Sequence, residues 1–497
     1  MATAKTGVQS THPMYDEHLP DWQLLETAYK GERHVKEKST LYLPPTSGMI
    51  QDGMSSSNQL GYQAYQAYLT RAVFPEFMTD SVNTCMGMLW YKDPVIKLPA
   101  QLEPMRERAS VKGETLHQLF RRIHEQQLSV GRCGLLLDLP EVVPTGVAPL
   151  PYIAMYDTEV ILNWDDGRVG GPTLQTLNLV VLDETEKVRK GFTWEEEQRY
   201  RVLFLGDEET NEAIGTYQVR VLLADESEVN SVVPKFAGKA LDEIPFVFIN
   251  SKDLLPDPDV PPLLSLARLC MTIYRGEADY RQNLFMQGQD TLVISGSDNA
   301  DEKFRVGANA VLQLPVGAKA EYIGVQSKGL SEQRLSLEND RRLAASRSGQ
   351  LVDTTSRQRE SGDALQTRVA AQTATLNDIA ITSAGGLERI LKIAAKWVGA
   401  NPEEVSVQPN LDFVNIQMTA RNIVELVTAK KLGAPISQKT IHAIMKQRQL
   451  TELDFEDELA EIKTEEPLVE EETPDAGANA QQQEGSQGGN GRGAAGV

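Results

Sequence analysis

Cysteine is scarce. The chain has three, Cys85, Cys133 and Cys270, far apart and in no CxxC or Cys/His cluster. That spacing excludes a disulfide framework or a zinc module and implies buried free thiols in a reducing compartment. Long hydrophobic runs are also missing. No apolar stretch approaches the ~18 residues of a membrane span. The N-terminal MATAKTGVQSTHPMYDEH has no apolar core of a secretory signal, so synthesis in the cytosol without a membrane partner is expected. Positive charge is in deficit: 49 Lys and Arg stand against 70 Asp and Glu, a net of −21. A basic, coat-like nucleic-acid protein is excluded as the simple reading.

The motifs of bond chemistry are absent as well. There is no GxxxxGKS/T to cradle phosphates, no GxGxxG, no HExxH and no GxSxG. The stretch from Gly167 to Gly171 is a turn, not a dinucleotide loop. His117 and His124 lie two turns apart on one helix, too far to share a metal, and a structural role is expected for both. Asn163-Trp164-Asp165-Asp166-Gly167 is the best acidic candidate. It lacks the twelve-residue loop and terminal bidentate Glu of an EF-hand, and a β-turn accounts for it. Glu195-Glu196-Glu197 reads as a solvent-facing loop. No catalytic residue, metal or cofactor is expected.

What is present is a long, mixed pattern in 497 residues, room for roughly three domains. Residues 1–20 are polar and read as an arm. A short helix follows over Asp21–Lys38, with Asp21 as cap and Trp22, Leu25 and Tyr29 on one face. Helices are predicted at Gln59–Ala72 and Glu76–Leu89, then an extended VIKLP. Glu114–Val130 is strongly amphipathic through Leu116, Leu119, Phe120, Ile123 and Leu128. From Gly131 to Asn250 short strands alternate with turns, so the fold class is α+β. LLPDPDVPP is a stiff linker. Pro262 then opens a long helix to Gln287, roughly 37 Å at 1.5 Å per residue. A Gly-rich β segment over 290–327 separates it from a second long helix, Leu330–Ser348. The polar stretch Gln350–Ser361 is a loop. Asp363–Val398 is a third long helix, with a kink expected at Gly385-Gly386. VSVQPNLDF is a strand, and short helices are predicted at Asn422–Lys431, Ser437–Gln449 and Phe455–Lys463.

Charge is uneven. From Thr451 to Asp475 there are twelve acids and one lysine. The remaining Gln/Gly-rich end cannot offset its chain entropy by burial and reads as disordered. By contrast, Lys328–Glu360 holds seven basic and five acidic residues, a locally positive stretch in an acidic chain. A solvated helix face, with Glu338 paired to Arg341 or Arg342, accounts for the arginines by themselves.

The order of these pieces resembles the portal proteins, the head–tail connectors of tailed double-stranded DNA phages, over roughly Asp21–Glu466. It rests on YQAYLTRAVFPEF followed by GMLWYKDPVIKLP; on LSVGRCGLLLDLP followed by PYIAMYDTEVILNW; on IPFVFIN before the PPLL helix; on the ESGDALQ junction; and on KKLGAPISQKTI followed by DFEDELAEI. The resemblance implies the following layout. Residues 21–261 form an α/β wing, 262–287 and 329–349 paired stem helices, and 288–328 a small clip. Residues 350–361 form a tunnel loop, 362–418 a long helix and wing strand, 419–464 a helical crown, and 465–497 a disordered tail.

It further implies a closed dodecameric ring at one capsid vertex of the virion, assembled in the host bacterial cytoplasm. Double-stranded DNA would be packaged, retained and ejected through its channel without sequence reading. The partners implied are further copies of the chain, the large terminase subunit, a head-completion or tail adaptor, and the capsid and scaffold proteins. On the tunnel loop, Gln350, Thr354, Thr355, Ser356, Arg357 and Arg359 become the channel candidates. Arg341, Arg342 and Arg347 become channel-facing candidates on the stem. Asp298, Asp301, Glu302, Lys303 and Arg305 become clip contacts for motor and adaptor. Two other readings stay open: a capsid scaffold or adaptor that never encircles DNA, and a metal-dependent hydrolase using Asp165 or Asp166.

Overall fold

The computed structural model describes residues 7–140, 150–167, 177–206, 215–236, 239–287, 291–295, 316–317, 319–323, 329–349, 362–413, 427–447, 451 and 453–464. The chain divides into two units, Met1–Val414 and Asn415–Val497.

The first helix starts earlier than expected. Pro13 opens α1 (Pro13–Lys30), where its missing N–H costs nothing, and His12 Nδ1 accepts from the Met14 amide at 3.2 Å. Tyr15 and Trp22 are buried on this helix. The stretch expected to be an arm is therefore part of the core, and His12, not Asp21, is the cap. Gly31 ends α1 and separates it from α2 (Glu32–Glu37). Next come α3 (Ser47–Gln51), α4 (Leu60–Arg71) and α5 (Phe77–Leu89). The extended VIKLP holds β1 (Val95–Lys97). Helix α6 (Leu116–Ser129) opens on a full capping box: Thr115 Oγ1 accepts from the Gln118 amide, and Gln118 Oε1 accepts from the Thr115 amide. All five of its predicted apolar residues are buried.

The β region runs through β2 (Arg132–Asp138), β3 (Tyr152–Asp157), β4 (Ile161–Asp165) and β5 (Leu179–Asp183). It continues with β6 (Glu186–Lys190), β7 (Thr193–Glu197), β8 (Arg199–Leu205), β9 (Tyr217–Leu223) and β10 (Glu228–Val232). The small pair β11 (Lys235–Phe236) and β12 (Lys239–Ala240) precedes β13 (Phe246–Asn250). Glu195-Glu196-Glu197, expected in a loop, lies in β7, though its side chains do face solvent. A five-stranded sheet has the order β10-β9-β8-β5-β4, and a three-stranded one β13-β2-β3. Every ladder among the described residues is antiparallel.

Strand β2 is covered on both faces, which is why it reads as a continuous apolar run. Leu135 and Leu137 enter one core with Phe120, Ile123 and Ile249; Leu136 enters another with Trp164, Phe246 and Phe248. The chain therefore folds to α+β, with two sheets stacked through their buried faces and helices packed against one side.

Three long helices follow: α7 (Leu264–Gln287), α8 (Leu330–Gly349) and α9 (Gly362–Trp397). The two-stranded ladder of β14 (Thr291–Ser295) and β15 (Lys319–Ile323) lies between α7 and α8 in sequence. Helix α9 spans about 54 Å at 1.5 Å per residue. Leu376, Ile379 and Ala380 join the helical core, whereas Leu387, Leu391 and Trp397 join the core beneath β2 and β13. The helix runs unbroken through Gly385-Gly386, where a kink was expected. A Cβ on Gly386 would lie 2.5 Å from Ile249 Cδ1, so glycine serves the close approach of α9 to β13. After α9, β16 (Ser406–Gln408) pairs with β1.

In the second unit, residues 427–431 are helical and are followed by α10 (Gln438–Gln447) and α11 (Phe455–Thr464). Ser437 caps α10 as expected, its Oγ accepting from the Thr440 amide at 3.0 Å. The tail, 465–497, lies outside the described residues.

Candidate functional site

The pieces assigned to the stem come together as an antiparallel pair. The Arg347 guanidinium at the end of α8 donates to Ser265 O near the start of α7, at 3.2 Å. At the other end, Asn283 Nδ2 of α7 donates to Gln333 Oε1 of α8, at 3.0 Å. Between them Leu337 seats over Gly276, where a Cβ would come within 2.9 Å of the leucine Cδ2.

Helix α8 has little apolar grip. Leu337 and Ala344 are its buried side chains, while Leu335 and Leu343 stand 45% exposed. A helix polar around most of its surface has to be held by ion pairs or by neighbours. One such pair is internal. Glu277 of α7 is buried, accepts from Arg281 Nε at 2.7 Å, and is also paired with Arg341 of α8. Arg342 instead lies 3.5 Å from Glu338, a carboxylate that Arg334 also approaches at 3.9 Å.

The three stem candidates thus differ in placement. Arg341 ties α8 to α7, Arg342 stands out on the helix surface, and Arg347 closes the base of the pair. Sequence spacing offered Glu338 as partner for either of the first two; Glu277 was missed because its partners sit on another helix. The tunnel-loop candidates Gln350, Thr354, Thr355, Ser356, Arg357 and Arg359 lie outside the described residues, as do the clip candidates Asp298, Asp301, Glu302, Lys303 and Arg305.

The segment that leads from β13 into α7 is tied closely to α6 and β2. The Pro-rich stretch after β13 reads as a linker in sequence but wraps around fixed points. Asn250 Nδ2 donates to Asp253 Oδ1 at 2.9 Å, Leu255 O at 2.9 Å and Asp257 O at 2.7 Å. Gln127 Nε2 donates to Asn250 O at 2.7 Å, and Ser251 Oγ to Gly131 O at 3.1 Å. Beneath them Arg132 is fully buried, its guanidinium carbon 4.5 Å from the ring centroids of both Trp164 and Phe248, and it donates to Pro256 O. Burial pulls its ionisation down to about 9, against the opposing field of Asp257.

A second buried chain joins three helical segments. Trp90 Nε1 donates to His124 Nδ1 at 3.1 Å, and an indole N–H is a donor only. His124 is therefore neutral with its proton on Nε2, which lies 2.7 Å from Ser383 Oγ of α9; that hydroxyl in turn donates to Ala380 O. Burial lowers the imidazole to about 3. His117 makes an edge-on contact with Trp90, the ring centroids 6.4 Å apart.

At the acidic turn, Asp165 Oδ1 accepts from the Gly167 amide and Oδ2 from Asn178 Nδ2, each at 3.1 Å, which is the geometry of a turn-building aspartate. Among the described residues no three His, Cys, Asp or Glu side chains converge as a metal-ligating group. All three cysteines are free and buried. No helix among the described residues is long and apolar enough to cross a membrane.

A family model described as "Domain of unknown function (DUF4055)" matches residues 262–398, the stretch that holds α7, α8 and α9. No curated protein matches. Among solved structures the chain is similar to one of the neck of a native GTA particle computed with C12 symmetry. The match has 12% identity, covers 81% of this chain and 93% of that one, and has a TM-score of 0.37. A structure of the neck of an empty GTA particle, computed with C6 symmetry, matches with the same identity and coverage and a TM-score of 0.36.

Proposed function

We propose that this chain is a portal protein, a head–tail connector whose copies surround double-stranded DNA at one vertex of a phage-like capsid. The observation that carries the reading is α8. It is long, antiparallel to α7, polar on most of its surface, and buried through little more than Leu337 and Ala344. Such a helix suits a wall shared between neighbours, each copy presenting one face of its stem to the next. A head-to-tail contact of that kind closes into a ring when its rotation permits.

The electrostatics support the same reading. DNA carries a phosphate charge per about 1.7 Å of axis, and every unpaired cation in a ring is multiplied by the number of copies. A channel that must let the duplex slide cannot offer many of them. Here Arg334 and Arg342 share Glu338, and Arg341 shares Glu277 with Arg281. The proposal extends to Arg357 and Arg359 on 350–361 as weak backbone contacts, and to residues 288–328 as the contact for the packaging motor and the tail adaptor. No catalytic residue or cofactor belongs to this function.

Mass photometry of the purified full-length protein tests it. Twelve copies of a 55.0 kDa chain give a particle of roughly 660 kDa. A stable monomer or dimer, or a large particle with no central hole by electron microscopy, ends the reading. Replacing Arg357 and Arg359 together by Glu is expected to change DNA packaging or retention and to leave the ring intact.

A further inference from the structure

Strand β13 stands at the edge of the β13-β2-β3 sheet and is paired on one side only, with β2. The Leu137 amide donates to Pro245 O at 2.9 Å, which fixes the phase of that ladder. Alternate residues of an antiparallel strand bond to the partner, so Pro245, Val247 and Ile249 face β2, while Phe246, Phe248 and Asn250 turn their main-chain groups outward. The ends of this outward row are satisfied locally. The Phe246 amide donates to Ile244 O at 2.8 Å, the Asn250 amide to Asp253 O at 3.0 Å, and Asn250 O accepts from Gln127 Nε2. The middle is not. Among the described residues Phe248 N–H, Phe248 O and Phe246 O have no hydrogen-bond partner, although both phenylalanines are buried. Main-chain groups that are out of water and unpaired are rare in a folded chain.

A cleft of about 430 Å³, the size of a ligand site, runs along this edge. Phe246, Val247 and Phe248 all line it. Successive side chains of a strand point to opposite faces, so one cleft that touches all three lies at the edge of β13. It has an apolar wall on either side. Leu177 and Leu205 pack with the core of Phe246 and Phe248, whereas Leu254 and Ile393 pack with that of Val247. Carboxylates at its rim are already engaged: Glu243 pairs with Lys396 at 3.1 Å, and Asp253 Oδ1 accepts from Asn250 Nδ2 and from the Leu255 amide. Recognition therefore falls to the main chain and the apolar walls.

We infer that the free edge of β13 takes up an extended, apolar segment of a partner protein as an added strand. In an antiparallel strand the residue opposite Phe248 exchanges both bonds with it, and the residue two further on donates to Phe246 O. All three orphaned groups are then satisfied, and the main chain supplies affinity while the walls select apolar side chains. A cleft walled on both faces admits a lone segment and excludes the edge of a folded sheet. Every described strand of this chain already belongs to a ladder, so a described strand of a second copy is no candidate. The site does not depend on the ring proposed above.

Fluorescence anisotropy on the full-length protein tests it, with a labelled strand-forming peptide, Gly-Thr-Val-Leu-Val-Thr-Gly, as probe. Saturable binding is expected. The same peptide with its three central amides N-methylated keeps every side chain and loses the donors, and is expected to bind about 10-fold more weakly. The unmethylated probe should also slow amide exchange over 246–250. Leu255→Trp, at a 39%-exposed residue on the cleft, is expected to leave the melt unchanged and to weaken the probe by about 10-fold. No saturable binding at about 1 mM probe overturns the site. Equal binding of the methylated peptide, or binding indifferent to Leu255→Trp, shows an unspecific apolar contact and overturns the added strand. Binding seen only after assembled protein is dissociated to monomers means that a second copy fills the cleft, and overturns the foreign partner.

Discussion

Leu337→Ala is the sharpest probe of the stem. Leu337 supplies most of the apolar burial of α8, at 7% exposure, and stands over Gly276 of α7. Truncating a buried leucine costs about 2–5 kcal/mol. The lower part of that range applies to a site near the protein surface, so about 2.5 kcal/mol is expected. The cost falls locally, because residues 384–397 of α9 and the buried strands belong to cores that do not include this side chain. Amide exchange within 330–349 should therefore accelerate by about 70-fold, the same energy expressed as an opening constant, while exchange in 384–397 stays unchanged.

Gly276→Ala supplies the other half of the test. In the parent its methyl meets Leu337 Cδ2 at 2.9 Å, and overpacking of about 1–3 kcal/mol offsets the ~1 kcal/mol gain of alanine in a helix. With Leu337 already truncated the clash is gone, and the same alanine stabilises by about 1 kcal/mol. The two changes are coupled and of opposite sign in the two backgrounds. Strict additivity in the four-way cycle would refute the seating of Leu337 on Gly276.

Other outcomes follow from the buried groups. Burial holds His124 at about 3 against an ordinary 6.5, so the native state refuses a proton that the unfolded chain takes. Its contribution is complete above pH 6.5 and falls by about 1.4 kcal/mol per unit as pH drops toward 3; denaturant melts of His124→Gln between pH 6 and 4 should show a slope smaller by about one proton. Arg132→Ala removes a buried cation from two aromatic rings and from Pro256 O, and should cost about 3–5 kcal/mol in thermal unfolding, with Arg132→Lys recovering only part. Gly386→Val drives a branched side chain into Ile249 and should destabilise by about 1–3 kcal/mol, relieved when Ile249→Ala is added.

Elements whose signals are local were legible in the sequence. The Pro262 start of α7 and the Ser437 cap each lie within a turn of what they specify. The same holds for the apolar stripe of α6 and the alternating strands. Signals that act across the chain were not. His12 and Pro13 open α1 with an imidazole cap, a weaker cue than Asp21, and Trp22 drew attention to the wrong start. The Pro-rich stretch after β13 looks like a spacer because its anchors, Gln127, Arg132 and Asn250, are far away in sequence or belong to other elements. Glu277 was indistinguishable from the surface acids around it until α8 folded against it. Two glycines in α9 read as a weak point, yet Gly386 serves the close passage over Ile249. Of the candidate site, two long helices around a short β segment were readable, and only the resemblance implied that they pair; the individual roles of Arg341, Arg342 and Arg347 were not readable.

The pairing of β1 with β16 has a bearing on how the molecule is made. Val95 lies opposite Gln408, and the face of β2 and β13 that carries Leu135 and Ile249 is roofed by α9. An emerging polypeptide therefore leaves the ribosome with that apolar surface covered by α6 alone until α9 has been translated. Closure of this core is a late, slow event, dominated by contacts between distant positions. Because α7 and α8 lie in sequence between the two halves of that closure, a truncated product that lacks β16 carries these helices on an unfinished body, and is the species most exposed to aggregation and to chaperone capture.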